Sequence, residues 1–197
     1  MYFRPQPSLA AVLAAFVVLS TEIAAGAPLT PPNEALAPSE PEFAPRGRHE
    51  ARNIQYSTWR KQCFKSPGKN AVCRTSITGT WDTGQMAIRM DLVERDRKPR
   101  LQMLLPVGLY LPAGAKLRLD ARKREVILPF NWCFTNTCIA AAPVGKEIIA
   151  AIEGARTLSV EVQDTNLLAL TAIVPVDQFS KAYNGPPAET IEQVVDE

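Results

Sequence analysis

Four cysteines are the residues of this 197-residue chain whose spacing is most informative. Cys63 and Cys73 flank a turn-rich stretch of Ser, Pro, Gly and Asn, and Cys133 and Cys138 flank a second turn-like stretch. Each pair could lie opposite across its own hairpin, so we predict the two local disulfides among the three connectivities that four cysteines allow. A zinc site is the alternative, but zinc-binding cysteines are usually two to four residues apart, and only the second pair approaches that spacing. We therefore predict no metal and no cofactor.

Two groups of basic residues could bind an anionic partner. These candidates, which cluster around two predicted turns, are Arg95, Arg97, Lys98, Arg100, Arg122, Lys123 and Arg124. Two strand crossings separate the turns, which predicts that both lie at the same end of the domain. Such a patch could attract lipopolysaccharide, acidic phospholipid headgroups or an acidic protein. The alternative is that the charges keep the loops soluble and discourage edge pairing. Nucleic acid is not expected, because no aromatic residues are interleaved with the basic ones.

Candidate catalytic residues are sparse. The one histidine, His49, lies outside the strand-rich part of the chain, whereas a Ser-His-Asp triad needs a histidine on the scaffold. Asp91, Glu94 and Asp96 could form a carboxylate pair of the glycosidase type. They are interleaved with arginines, however, and this mixture is more typical of a solvated turn. No phosphate-cradling glycine loop or calcium loop is present in the sequence. We predict that the protein is not an enzyme.

The three tryptophans differ in context. Trp59 and Trp132 lie close to cysteines, so we expect their rings to pack on the disulfides. Trp81 lies in a Gly-, Thr- and Asp-containing segment that predicts a hairpin tip. It is the candidate for an exposed aromatic that contacts a partner, and burial in the core is the alternative.

The elements that must position these side chains are short apolar runs. Gly, Pro, Asn and Asp separate these runs at intervals of roughly ten residues. This pattern predicts an all-β sandwich or barrel with one or two short helices. Ile148, Ile149 and Ile152 recur at helical spacing and predict a helix over residues 145–154. The predicted strands are residues 54–64, 72–78, 86–93, 101–105, 116–120, 125–130, 157–163 and 168–174.

The flanks of the strand-rich part differ from it in composition. Residues 1–27 have the basic start, short apolar run and small residues of a signal peptide, with a retained anchor as the alternative. Residues 28–50 predict a Pro-rich disordered spacer, and residues 186–197 an acidic disordered tail. Residues 51–185 are the predicted sandwich domain, which contains 19 basic and 11 acidic residues, a net charge of +8. A signal peptide and paired cysteines predict a periplasmic or secreted protein of the cell envelope.

The order of several motifs resembles the invasion-associated locus B family, whose members are secreted or periplasmic proteins of alphaproteobacteria. The likeness covers residues 55–183 and consists of a Trp and Cys pair, two Leu-Pro-x-Gly turns, a Leu-Asp strand end, a Leu-Pro-Phe segment and a second Cys pair. These motifs fall on Trp59, Cys63, Cys73, residues 105–108, 111–114, 119–120 and 128–130, and Cys133 to Cys138. The resemblance implies an immunoglobulin-like β-sandwich with two disulfides, and it brings no catalytic residues with it.

The functional expectation is a non-enzymatic envelope protein that binds a protein or an anionic envelope component. Peripheral association with a membrane is compatible with the basic domain. An accessory or chaperone-like subunit of a membrane complex is the first alternative, because the edge strands of a sheet offer pairing surfaces. A hydrolase-type enzyme is the second alternative. The family likeness by itself does not imply a shared chemistry or a part in host cell invasion.

Overall fold

The computed structural model describes residues 45–51, 53–119 and 124–192, which form two β-sheets packed as a sandwich. The all-β prediction is therefore confirmed. No helix within these ranges is long and apolar enough to cross a membrane. The helices are α1 (Lys146–Glu153) and α2 (Phe179–Asn184), with a 3-10 turn at Leu111–Ala113. The strands are β1 (Gly47–Glu50), β2 (Gln55–Tyr56), β3 (Arg60–Lys65), β4 (Val72–Thr80), β5 (Met86–Arg95), β6 (Lys98–Leu105), β7 (Ala115–Leu119), β8 (Arg124–Leu128), β9 (Phe130–Cys133), β10 (Cys138–Pro143), β11 (Thr157–Gln163), β12 (Leu168–Pro175) and β13 (Glu189–Glu192).

The smaller sheet has the strand order β1-β12-β11-β7-β8, and the larger has the order β13-β3-β4-β5-β6-β10-β9 with β2 paired to β4. Most pairs are antiparallel, but β1 lies parallel to β12 and β13 lies parallel to β3. Only Pro129 separates β8, at the edge of the smaller sheet, from β9, at the edge of the larger one. Its carbonyl accepts a hydrogen bond from the backbone N–H of Ala141 at 2.9 Å. The chain therefore links the two sheets along this side.

Agreement with the predicted elements is close, and the differences have physical reasons. The predicted run at residues 54–64 is two strands, β2 and β3, separated by residues 57–59. The helix predicted over residues 145–154 is α1, which ends at Glu153 before Gly154. β10 was not predicted, because its alanine-rich centre has low β-propensity. α2 was not predicted either, because its six residues are too short to show a helical period.

Both predicted disordered flanks contribute a strand. β1 lies within the predicted spacer and β13 within the predicted tail, so the paired region extends beyond the predicted limits of 51 and 185 on each side. Most side chains of both strands are exposed. Main-chain hydrogen bonding holds such strands, and composition does not reveal it. The predicted signal peptide and most of the predicted spacer lie outside the described residues.

The core lies between the sheets and beneath α2. Phe179 of α2 is fully buried, with the Trp59 ring edge-on at 4.9 Å and the Tyr183 ring stacked at 5.6 Å between centroids. The indole N–H of Trp59 donates to the Pro175 carbonyl at 2.8 Å. Trp59 is thus a buried anchor between β3 and the end of β12, with its polar atom satisfied.

The outer face of the smaller sheet is more covered than the alternation of β11 predicts. This alternation predicts that Glu161 is solvent-exposed, but it is only 4% exposed. Arg118 lies over it and donates to Glu161 Oε2 at 2.9 Å and to Glu125 Oε2 at 2.7 Å. The hydrogen bond to Glu161, followed by the one to Glu125, raises the pKa of Arg118. Arg118 therefore shields Glu161 from water, while Arg118 and Glu125 themselves stay partly exposed.

Candidate functional site

Both disulfides join directly opposite residues of a hairpin. Cys63 of β3 is bonded to Cys73 of β4, and Cys133 of β9 is bonded to Cys138 of β10. This is the local pairing that the sequence predicts. Cys73 pairs in register with Glu94, near the end of β5, whereas Cys138 pairs with Leu105, at the end of β6. The two disulfides therefore lie toward opposite ends of the larger sheet.

The first basic turn is a two-residue β-hairpin between β5 and β6. Arg95 pairs with Lys98, and the two residues between them, Asp96 and Arg97, have φ angles of 52° and 60°. Two successive left-handed residues are what a type I′ turn requires. The Asn70 side-chain amide donates to Asp96 Oδ1 at 2.9 Å and fixes the turn. The exposed side chains of Arg95, Arg97 and Lys98, named the basic tip below, make no ion pair with any residue that the structure describes.

Arg100 does not belong with the basic tip. Its guanidinium donates to Asn131 Oδ1 at 3.1 Å and to the Ala141 carbonyl at 3.5 Å. It also lies 5.9 Å from the centroid of the Trp132 ring. This arginine therefore braces β6 against β9 and β10, because its hydrogen bonds direct it along the sheet rather than toward the turn.

The second basic turn joins β7 and β8, where Leu119 pairs with Arg124. Arg122 and Lys123 lie outside the described residues, and so does the side chain of Arg124. β7 pairs with β11 such that Leu119 lies beside Leu158, so the described strand ends at Leu119 and Arg124 lie at the end of the smaller sheet that is remote from Gln163.

The environments of two tryptophans differ from the exposed or disulfide-packed ones expected. Trp81 lies in the predicted hairpin turn, between β4 and β5, but its side chain is half-buried and packs against the core, which is the alternative given for it above. Trp132 is 56% exposed rather than packed on a disulfide. Neighbouring residues in a strand point to opposite faces, so Trp132 cannot lie on the same face as the adjacent Cys133. Phe134, at 62% exposure, extends this apolar edge.

The acidic residues do not form a catalytic pair. Asp91 is buried on the outer face of β5, where it accepts hydrogen bonds from Arg89 Nε at 2.9 Å and Gln102 Nε2 at 3.2 Å. Glu94 accepts from the Tyr183 hydroxyl at 3.3 Å. Burial, followed by the Glu94 charge, raises the pKa of Tyr183. Each carboxylate is therefore committed to a structural contact, and within the described ranges no cluster of metal-binding residues occurs.

An apolar cavity of about 490 Å³ lies between the two sheets. Trp81 and Ile88 line it from the larger sheet, and Val160, Val162 and Ala172 line it from the smaller one. The loop at residues 105–109 forms its lip, where Gly108 adopts a left-handed φ of 87°. This loop contains the first Leu-Pro-x-Gly motif of the sequence, so that turn shapes a cavity wall.

The cavity lies at the end of the sandwich opposite the basic tip. In the larger sheet, Ile88 lies near the start of β5, and the basic tip begins at its last residue, Arg95. In the smaller sheet, Val162 lies near the end of β11 that is remote from Leu119. The basic tip and the described ends of β7 and β8 therefore lie toward the end of the sandwich that is remote from the cavity.

His49 was expected in a spacer, but it lies at the mouth of this cavity. It pairs in register with Leu170, which pairs with Val162, so His49 points to the cavity face of the sheet. The exposed side chains of His49 and Val107 form what we call the cavity rim. The cavity could not be predicted from the sequence, because its aliphatic walls have the same pattern as a filled core.

Comparison with known proteins finds a matching family model and similar solved structures. The family model described as invasion associated locus B (IalB) protein matches residues 59–187. Among curated proteins, none matches the chain. Among solved structures, the invasion associated protein B of Bartonella henselae matches with a TM-score of 0.58 and 20% sequence identity, covering 66% of this chain and 90% of that one. At this identity, the structural match shows the fold alone.

Proposed function

The chain belongs to the invasion associated locus B (IalB) family, and from this premise we propose that it is a non-enzymatic protein of the cell envelope that binds an anionic partner. The proposed site is the basic end of the sandwich, formed by the basic tip and by Arg122, Lys123 and Arg124. The proposed partner is an anionic envelope component, which includes acidic headgroups at a membrane surface and acidic proteins. Association with a membrane would then be peripheral.

The observation that carries this proposal is the conformation of the basic tip. Arg97 has a left-handed φ of 60°, which costs a residue with a Cβ atom about 1 to 2 kcal/mol. Glycine would adopt this conformation without strain. An exposed arginine held in a strained turn, between two further exposed basic residues, supports a binding role.

A non-enzymatic role is supported by the carboxylates and by the environment of the histidine. Asp91 is neutralised by Arg89, and Glu94 is hydrogen-bonded to Tyr183. His49 faces apolar walls rather than a nucleophile. The groups that acid–base chemistry would need are thus engaged elsewhere or dispersed.

Export to the envelope is supported by the two disulfides and by the family. Disulfides persist in oxidising compartments such as the periplasm and the extracellular space. Sequencing the N-terminus of protein purified from the envelope tests the predicted signal peptide. A new N-terminus close to residue 27 is expected, and an intact Met1 would contradict cleavage.

Co-sedimentation with lipid vesicles tests the binding proposal. The native protein should bind phosphatidylglycerol vesicles at low salt, and bind phosphatidylcholine vesicles much more weakly. Each basic residue near an anionic membrane contributes about 1 kcal/mol, so replacing Arg95, Arg97 and Lys98 together by Ser should weaken binding about a hundredfold. Because the Debye length falls from about 30 Å at 0.01 M salt to about 8 Å at 0.15 M, binding should weaken steeply as salt is raised.

A matched variant controls for net charge. Arg46, Arg48 and Arg60 are exposed residues away from the basic end, and their joint replacement by Ser removes the same charge. This control should bind nearly as tightly as the native protein. Equal losses in both triple variants, or binding that does not respond to salt, would contradict a specific basic end.

The exposed edge formed by β8 and β9 favours an alternative function, that of an accessory or chaperone-like subunit. Trp132 and Phe134 lie exposed along this edge, together with Ile127 on β8. An extended segment of a partner could pair with β9 and cover these side chains. Cross-linking in envelope fractions distinguishes the two functions. If replacing Trp132 and Phe134 by Ser removes a cross-linked protein partner that the basic-tip variant still binds, the function of an accessory subunit is favoured.

A further inference from the structure

We propose that the apolar cavity binds a single acyl chain, with the polar head of the ligand at the cavity rim. This site is separate from the basic end and is independent of the function proposed above. The cavity has a volume of about 490 Å³, within the range of about 300 to 1,000 Å³ typical of small-molecule sites.

The walls determine the chemistry of the buried part of the ligand. The inward-facing side chains are aliphatic or aromatic, including Ile54, Ile88, Val160 and Val162 together with Trp81. A ligand polar atom placed among them would lose its hydrogen bonds to water without replacement. Sugars, nucleotides and peptide backbones are therefore poor occupants, whereas a hydrocarbon chain fits.

The polar residues of the lining do not alter this conclusion. The Asp164 carboxylate already accepts hydrogen bonds from the backbone N–H groups of Asn166 and Leu168, both at 2.8 Å, in the β11–β12 turn. Glu50 pairs in register with Thr171, on the face opposite that of His49 and Leu170. The pairing of β1 and β12 thus directs one polar side chain of these two strands, that of His49, to the cavity face, and this side chain stays exposed at the rim.

His49 gives the ligand its orientation. Its imidazole points to the cavity face and is exposed at the rim, where it can hydrogen-bond to a head group that remains in water. The chain would enter past Val107 and extend toward Trp81. Displacing loosely held water from apolar walls favours such binding. An exported protein meets this chemistry in free fatty acids and in lysophospholipids, which share one acyl chain and a polar head.

Calorimetric titration of the mature native protein with dodecanoic acid, below its micellar concentration, tests the site. We expect one molecule to bind per chain. Ala172→Leu adds three carbon atoms at a wall position and should lower the affinity at least tenfold. Ala150→Leu, on the exposed side of α1, is the matched control and should leave the affinity unchanged. A parallel titration with a lysophosphatidylcholine of the same chain length identifies the source of the ligand, because the tighter binder is the better candidate.

Fluorescence quenching by a brominated fatty acid locates the bound chain without relying on a filled cavity. The protein has three tryptophans, of which only Trp81 lines the cavity. Quenching should therefore be lost in Trp81→Phe, while calorimetry still detects binding. Quenching that persists in Trp81→Phe would place the chain elsewhere and overturn the proposal. Absence of binding by the native protein, or native affinity in Ala172→Leu, would also overturn it.

Discussion

Replacing Arg97 by Gly should weaken binding without weakening the fold. The left-handed φ of 60° costs a non-glycine residue about 1 to 2 kcal/mol, and glycine loses about 0.5 to 1 kcal/mol more backbone entropy on folding. The free energy of unfolding should therefore stay unchanged or rise by up to about 1.5 kcal/mol. Loss of one positive charge at an anionic surface should lower affinity by about 1 kcal/mol, or roughly fivefold.

Lys98→Gly is the matched control, because it removes the same charge one residue later. Lys98 begins β6 and does not have a left-handed φ, so glycine there relieves no strain. Glycine within a strand should instead lower the free energy of unfolding by about 0.5 to 1 kcal/mol. Urea unfolding followed by Trp fluorescence measures both variants, and vesicle co-sedimentation measures their binding. If Arg97→Gly destabilised the protein as much as Lys98→Gly, the account of a strained turn would be refuted.

Three further predictions concern stability. Replacing Cys63 and Cys73 by Ala should lower the free energy of unfolding by about 2.7 kcal/mol. Replacing Cys133 and Cys138 by Ala should lower it by about 2.1 kcal/mol, because the loop that this second disulfide closes is shorter. Urea titration showing the reverse order would contradict this. Burial raises the pKa of Tyr56 to about 12, so stability should fall as pH rises from about 10 to about 12. Tyr56→Phe should reduce that loss and add about 1 kcal/mol at neutral pH, because the buried hydroxyl has no hydrogen-bond partner within the part of the chain that the structure describes. An alkaline loss of stability as large in Tyr56→Phe as in the native protein would disprove this. Hydrogen exchange should show protection in β1 and β13, and exchange at the rate of free peptide would mean that neither strand is paired.

The strands were predictable where the sequence alternates or where turn residues interrupt apolar runs. β7 is the clearest case, since its alternation matches its burial. Short edge elements such as β1 and β13 could not be predicted, because backbone pairing leaves no mark on composition. The polar face of β11 was predictable in position but not in burial, because Arg118 covers Glu161 from a neighbouring strand.

The candidate site was only partly predictable for similar reasons. The basic turn at Arg95 to Lys98 is a local feature, so the sequence located it correctly, although the side-chain direction of Arg100 depends on the distant Asn131. The placement of His49 depends on the pairing of β1 with β12, which no local pattern indicates. A cavity differs from a filled core only in how distant side chains fit together, and that is not encoded in a single segment.

The most direct test of the proposed binding end is a residue-resolved NMR titration of the mature protein with nanodiscs of phosphatidylglycerol at low salt. The account predicts that amide signals of residues 95–98 and of the β7–β8 turn change first, and that phosphatidylcholine nanodiscs leave them unchanged. Changes confined to residues 130–134 or 105–109, or no change with anionic nanodiscs, would contradict it.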